Sequence, residues 1–296
     1  MSQSSKPGLL DHLGTNLLRI LPQHLLAAGM YRIARSRRPW LKNLLIDRIS
    51  QRYGVDMSEA AEPHAQTYAS FNDFFTRALK DDARPIAPNA IVSPADGRVS
   101  QIGGIDGDSL VQAKGHNFSL QALLAGDRTA AMAFEDGSFT TIYLSPKDYH
   151  RVHIPYAGTL RSMVFVPGDL FSVSEATTQL VPGLFARNER VICHFDTELG
   201  PMAVILVGAI FVGSMQTVWH GEVRARRGQP TRWSYQGEQA PRFAAGEEIG
   251  RFNMGSTVIV LLPPGAVDWD RSLQAGSAVR MGQALGQPGN GLSGDA

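Results

Sequence analysis

The stretch Gly250-Arg251-Phe252-Asn253-Met254-Gly255-Ser256-Thr257-Val258-Ile259-Val260 is the part of the chain that decides how the rest is read. A Gly-Ser pair opens an apolar run, Thr257–Leu262, whose β-branched side chains favour an extended backbone. Working outward, the same texture recurs at Thr140–Leu144, Val164–Val166, Val191–Phe195 and Val204–Val212. Gly, Pro, Asn and Asp punctuate these runs from about residue 90 onward. Regular short strands separated by turn residues predict a mainly β barrel or sandwich.

The amino-terminal part reads differently. Leu17, Leu18, Leu21, Leu25 and Leu26, and then Leu41, Leu44, Leu45 and Ile49, recur at helical spacing. The expected class is therefore α+β, with helices over residues 1–60, a mainly β domain over 61–285 and a loose tail over 286–296. A further helix is predicted over 70–80, where Ser70 and Asp73 have the spacing of a cap and Phe71, Phe74, Phe75 and Leu79 share a face. Pro85 and Pro88 end that pattern.

The net charge of +1 hides an asymmetry. Residues 1–50 hold eight Lys/Arg (Lys6, Arg19, Arg32, Arg35, Arg37, Arg38, Lys42 and Arg48) against Asp11 and Asp47, leaving +6 there and −5 on the rest. A basic end on an acidic body suits a local anionic partner better than nucleic acid. Arginines beside Trp40 suit a membrane interface, where headgroups meet the cations and the indole sits at the boundary. An ordinary helix with a solvated basic face fits the same pattern, and both readings stand. A second basic cluster, Arg224, Arg226, Arg227 and Arg232, reads as a solvated hairpin. No signal peptide and no membrane-spanning run is expected: the longest apolar stretch, Ala203–Gly213, is short of the roughly 20 residues a bilayer requires. The single cysteine, Cys193, excludes an internal disulfide and sits in an apolar run as a buried hydrophobe.

Four segments carry groups capable of chemistry, and each has an ordinary reading beside it. Ser93-Pro94-Ala95-Asp96-Gly97-Arg98-Val99 places an acid in a tight turn, which is usually only a turn. Tyr149-His150-Arg151-Val152-His153-Ile154-Pro155 holds two histidines, but no third ligand at fixed spacing, so no metal is expected. Gly208–Trp219 reads as a core strand with close glycine contacts. Gly255-Ser256 is normally a bend. It is also what an N-to-O acyl shift needs, because Gly255 leaves its carbonyl unshielded in front of the Ser256 hydroxyl. Together these segments supply an acid, two histidines and a serine, the residue types that activate a hydroxyl.

In order and spacing, these segments resemble the phosphatidylserine decarboxylase family of bacterial type. The matching residues are Ser-Pro-Ala-Asp-Gly-Arg-Val, Tyr-His-Arg-Val-His-Ile-Pro, Val-Gly-Ser-Met-Gln-Thr-Val-Trp, Gly-Arg-Phe-Asn-Met-Gly-Ser-Thr-Val and Phe-Asn-Asp-Phe-Phe-Thr-Arg. The similarity runs from about residue 15 to about 285. One departure is visible: the family's usual Leu-Gly-Ser-Thr is Met254-Gly255-Ser256-Thr257 here, a swap that keeps volume and apolarity.

The resemblance implies a self-cleaving zymogen in which Asp96, His153 and Ser256 form the cleavage triad and His150 serves decarboxylation. Cutting between Gly255 and Ser256 would turn Ser256 into a covalent pyruvoyl cofactor. That group would form a Schiff base with phosphatidylserine and yield phosphatidylethanolamine, a step of phospholipid biosynthesis. Implied partners are phosphatidylserine and an anionic membrane surface on the cytoplasmic face of the cell membrane. The two cut chains would remain a heterodimer, with a dimer of these left open and no nucleic acid. Each Lys/Arg near an anionic bilayer contributes roughly 1 kcal/mol.

Two other classes compete. A serine hydrolase would use the same residues, but Thr257 and Val258 follow Ser256 where a Gly-x-Ser-x-Gly elbow needs glycine. A barrel-type carrier module would share only the Ser-Pro-Ala-Asp-Gly turn. Intact mass under denaturing conditions separates the three. The decarboxylase reading expects two chains, residues 1–255 and the 41 residues 256–296 (296 − 255), the smaller one blocked at its amino terminus. Active protein that stays one uncut chain rules the mechanism out.

Overall fold

The structure is a computed structural model that describes residues 8, 22–113, 116–210, 214–223, 228–253 and 257–289. The Met254-Gly255-Ser256 segment therefore lies outside the described residues, as do Leu17, Leu18 and Leu21 and the arginines 224, 226 and 227.

Thr257–Leu262 is a strand buried along its whole length. It pairs antiparallel on one side with Gly200–Val207 and on the other with Ser138–Tyr143. Neighbours on both edges and both faces explain why the run carries no polar alternation. This strand sits in a nine-stranded antiparallel sheet. The order is Thr231–Ser234, Gly158–Val166, Arg190–Thr197, Gly200–Val207, Thr257–Leu262, Ser138–Tyr143, Gly97–Gly104 and Ala278–Val279, with Arg242–Phe243 also on the second strand. A separate four-stranded sheet runs Gly221–Val223, Met215–Thr217, Glu248–Phe252 and Arg151–His153. Among the described residues these strand orders do not return on themselves, so the core is a set of open antiparallel sheets and not a closed barrel.

Two helices precede the sheets: α1 (Gln23–Ala34) and α2 (Pro39–Tyr53). Pro39 pre-sets the first turn of α2, and Gly54, at φ 67°, closes it with its N–H on the Ser50 carbonyl. A short helix, α3 (Phe71–Phe75), is capped by Ser70, whose hydroxyl accepts the Asp73 N–H at 3.2 Å. The helix expected over 70–80 thus stops after five residues. The chain leaves it because Thr76 folds its hydroxyl back onto the Asn72 carbonyl and Leu79 bridges to Ala60. A second difference lies at the carboxyl end. The strand Ala284–Pro288 pairs with Ile91–Val92 and Val267–Trp269, so ordered pairing extends into the stretch expected as a tail from 286. A third is the run expected to reach Val212, whose strand ends at Val207.

Two apolar cores result. The larger unites the sheets. The smaller packs Ala34 and Ile46 of the helix pair on Phe71, Phe74 and Phe75 of α3. Cys193 is fully buried, and burial pushes its thiol pKa up. The helices leave several large apolar side chains in solvent: Leu25 is 71% exposed, Trp40 65% and Leu44 47%. Arg32, Arg37 and Arg38 are exposed among them. Among the described residues no helix is long and apolar enough to cross a membrane.

Candidate active site

Phe252 ends a strand of the smaller sheet and Thr257 begins one of the larger. The segment carrying Gly255-Ser256 is thus the link between the two sheets, and the groups around its ends define the site. Thr257 pairs with Tyr143, and Tyr143 with Arg98, so the turn bearing Asp96 sits at the same end of the nine-stranded sheet. That pairing demands glycine at position 97. A Cβ there would lie 2.2 Å from the Tyr143 carbonyl oxygen.

The two histidines come from the edge strand Arg151–His153 and the residue before it. Antiparallel pairing sets His150 beside the end of the chain leading to Ser256, since Phe252 N–H donates to the His150 carbonyl at 3.0 Å. His153 lies opposite Glu248, and its own N–H donates to the Pro94 carbonyl at 2.8 Å, which ties it to the Asp96 turn.

The ring environments differ. His153 Nδ1 is 2.8 Å from the Gly246 carbonyl, which can only accept, so the proton sits on Nδ1. Nε2 is left with its lone pair and accepts from the Tyr149 hydroxyl at 3.1 Å. Burial lowers the His153 pKa. The Gly246 bond and the negative charges of Glu248 and Asp96 work in the other direction, and Arg151 adds to the lowering. His150 is fully buried, with Nδ1 2.8 Å from the Asp148 carbonyl and its ring on Phe75 at 4.0 Å between centroids. Burial pulls its pKa down to about 3, so it is neutral at ordinary pH. Its Nε2 has no partner among the described residues, and neither does the buried Thr257 hydroxyl. An acceptor and a hydroxyl left unsatisfied at either end of one three-residue segment mark space for a polar group.

Asp96 is placed differently from a simple triad. Its carboxylate faces Arg84, with Nε to Oδ1 at 2.9 Å and Nη2 to Oδ2 at 2.5 Å, and Oδ1 also accepts the Met281 N–H at 2.8 Å. Arg84 further reaches Glu59 at 2.9 Å. Burial opposes the Arg84 charge, but the Asp96 and Glu59 carboxylates outweigh it and its pKa is raised. Among the described hydrogen bonds, the His153 ring is held by the Gly246 carbonyl and Asp96 acts on it only through space. Asp96, His150 and His153 are thus brought to one region, with Ser256 outside the described residues. Sequence reasoning missed Arg84 and Gly246. Arg84 lies in an unremarkable Asp-Asp-Ala-Arg-Pro loop, and a backbone carbonyl leaves no signature in a sequence.

Comparison with known proteins bears on this arrangement. A family model described as phosphatidylserine decarboxylase matches residues 71–287, and a second described as PSD matches 13–54. The chain belongs to the phosphatidylserine decarboxylase family. It is 56% identical over 270 residues to a phosphatidylserine decarboxylase proenzyme of Methylococcus capsulatus, covering 90% of this chain and 93% of the relative. A proenzyme of the same name from Marinobacter nauticus is 52% identical over 282 residues, covering 94% and 99%. One from Nitrosococcus oceani is 50% identical over 290 residues, covering 97% and 95%. The match to residues 13–54 ends one residue after α2, and the match to residues 71–287 begins where α3 begins.

The Arg84–Asp96 pair gives a testable consequence. Arg84→Met leaves a buried carboxylate without its counter-charge and should lower stability by about 3 kcal/mol. Adding Asp96→Asn to it should recover part of that loss. Chemical denaturation of the two variants, made in a Ser256→Ala background, measures the difference. A double variant less stable than Arg84→Met alone contradicts this account.

Proposed function

We propose that the protein decarboxylates phosphatidylserine to phosphatidylethanolamine with a pyruvoyl group that it makes from Ser256 by cutting itself after Gly255. The observation that carries this is the pair of histidines on the strand beside Glu248–Phe252, with His150 next to the end that leads to Ser256 and His153 tied to the Asp96 turn. Both rings hold their proton on Nδ1 against a backbone carbonyl; His153 Nε2 accepts from the Tyr149 hydroxyl, while the buried His150 Nε2 has no partner among the described residues.

In the first stage the Ser256 hydroxyl takes the place of the Tyr149 hydroxyl at His153 Nε2, which accepts its proton as the oxygen attacks the Gly255 carbonyl. The peptide C–N bond breaks as the ester forms, and the proton passes to the freed amine. A base, for which His153 is again available, then takes the Cα proton of residue 256 as the Cβ–O bond breaks; this releases the Gly255 carboxylate and leaves a dehydroalanine, which water hydrolyses with loss of ammonia. Asp96 contributes negative charge that favours protonated His153, and the Gly246 carbonyl supplies the orientation. The Thr257 hydroxyl can donate to a carbonyl of the product, and the His150 Nε2 lone pair suits the N–H of an incoming amine. A pyruvoyl carbonyl supplies an electron sink for departing carbon dioxide. His150 Nε2 holds the proton that the substrate amine gives up and is the acid in reach afterwards. Such a positioned group is worth about 10²–10⁴ in rate.

Under this reading residues 1–60 hold the enzyme on the cytoplasmic face of the membrane and 61–285 form the catalytic domain, whose last strand runs on to Pro288. The cut chains stay together as a heterodimer. The exposed Leu25, Trp40 and Leu44 among exposed arginines support lipid contact. The runner-up serine hydrolase is less favoured, because Thr257 and Val258 follow Ser256 where a Gly-x-Ser-x-Gly elbow needs glycine.

Separating the histidines tests the roles. His153→Ala should remain one chain, Asp96→Asn should cut slowly but faster than His153→Ala, and His150→Ala should cut yet release little carbon dioxide from phosphatidylserine. Denaturing gels and lipid turnover in detergent read both stages. An uncut His150→Ala beside a normally cut His153→Ala exchanges their roles.

Membrane contact has its own readout. Leu25→Ser, Trp40→Ser and Leu44→Ser together should reduce sedimentation with anionic vesicles at least tenfold, as each exposed apolar side chain contributes roughly 1.5–3 kcal/mol when buried. High salt should weaken wild-type binding without abolishing it. Unchanged sedimentation places the contact elsewhere.

A further inference from the structure

A chain of polar contacts leaves the active site through Asn253 and ends on the lipid-facing helix α1. Asn253 is 2% exposed and is the last described residue before Met254-Gly255-Ser256. Its main-chain N–H donates to the Ser214 carbonyl at 3.0 Å, and its side-chain nitrogen donates to Ser214 Oγ at 2.6 Å. Its side-chain oxygen accepts from Asn72 Nδ2 at 3.1 Å. Three bonds therefore fix both the backbone and the rotamer of a residue two positions ahead of Gly255.

Ser214 is in turn held from outside. Its hydroxyl donates to Glu222 Oε1 and receives Arg35 Nη2 at 3.2 Å. The same nitrogen reaches Glu222 Oε1 at 2.9 Å, and the Tyr31 hydroxyl donates to Oε2 at 3.0 Å. The Arg35 guanidinium lies over the Tyr31 ring, 3.7 Å from its centroid. Tyr31 is in the last turn of α1 and Arg35 is its C-cap residue. A serine hydroxyl has one proton to give. With Glu222 taking it, the Ser214 lone pairs are turned toward the Asn253 amide nitrogen, which also decides which end of that amide faces Ser214. Without the carboxylate the hydroxyl rotates freely and the Asn253 rotamer loses its reference. Acyl transfer depends on the reacting atoms meeting within about 3–3.5 Å, and a misplacement of 1 Å costs on the order of 10²-fold.

We infer that Arg35, Glu222 and Ser214 are positioning residues for self-cleavage, which lock Asn253 and so make processing depend on α1 being docked on the catalytic domain. The inference rests on the processing reading above. It means that the chain becomes an enzyme only when its lipid-facing helix is in place, an order that keeps the reactive carbonyl from forming on a half-assembled fold.

The test follows processing of full-length chains made by cell-free translation, sampled over time on denaturing gels. Glu222→Gln keeps the shape and removes the charge, and Arg35→Met removes the other partner. Each should slow cutting about 10- to 100-fold, and the double variant should be no slower than the slower single. Arg35→Lys should fall between wild type and Arg35→Met, since it keeps the charge but loses the planar fork and the stacking. In a Ser256→Ala background the Tm of Glu222→Gln should stay within about 2 °C of its parent, a shift that corresponds to less than about 1 kcal/mol at this size. Cutting at the wild-type rate in both single variants overturns the inference. Slowing that merely tracks loss of Tm across the series overturns it as well, because the residues would then be structural only. A wild-type chain that never cuts defeats the processing reading itself, and this inference with it.

Discussion

The pairing of Thr257–Leu262 between Gly200–Val207 and Ser138–Tyr143 is the constraint from which the rest of the molecule follows. An apolar strand with both edges and both faces covered cannot slip by one residue without turning its side chains to the opposite faces. Its first residue is therefore fixed in space. Tyr143 is fixed opposite Thr257, and through Tyr143 the Gly97 strand and the Asp96 turn are fixed as well. The lack of a Cβ at Gly97 is what permits that approach. Ser256 comes immediately ahead of that strand in the chain, so the residue that follows it is held by pairing on both edges.

The other end is anchored by different means. Glu248–Phe252 belongs to the smaller sheet, and its partner strand carries the histidines. Because the two strands run antiparallel, His150 meets the end nearest the segment and His153 the far end. Three residues of spacing thus become two separate environments. His150 is sealed under Phe75 and kept neutral by burial, whereas His153 is tied through Pro94 to the Asp96 turn and faces Tyr149. The Phe75 ring also belongs to the small core that seats α2 and the end of α1. The helices with exposed apolar residues are consequently packed against a residue that touches the site, and the Arg35–Glu222–Ser214–Asn253 chain is a second, polar route between the same regions.

Part of this was legible in the sequence and part was not, and particular residues show why. Local chemistry was readable wherever a residue acts through its neighbours. Ser70 capping at Asp73, the β-branched strands and the buried Cys193 follow from spacing and side-chain type alone. The α3 helix was overextended because helical periodicity persists to Leu79, while the chain is drawn away by the Leu79–Ala60 bridge, a contact between distant residues. The site was readable as a set of residue types whose order and spacing match a family. The partner of Asp96 was not, because Arg84 reaches it from a loop 12 residues earlier in the chain.

What the sequence determined by itself is the inventory: an α+β chain with a basic helical end, buried strands, and an acid, two histidines and a serine in order. These are properties of side-chain type and periodicity, which act over a few residues. Only the tertiary structure decided which atom meets which. It gave the His153 proton to the Gly246 carbonyl, spent the Asp96 carboxylate on Arg84, left His150 Nε2 without a partner among the described residues and led Asn253 back to α1. Those outcomes depend on strand register and on backbone carbonyls from remote segments. Backbone groups are the same at every residue, so no pattern of side chains announces where they will be used.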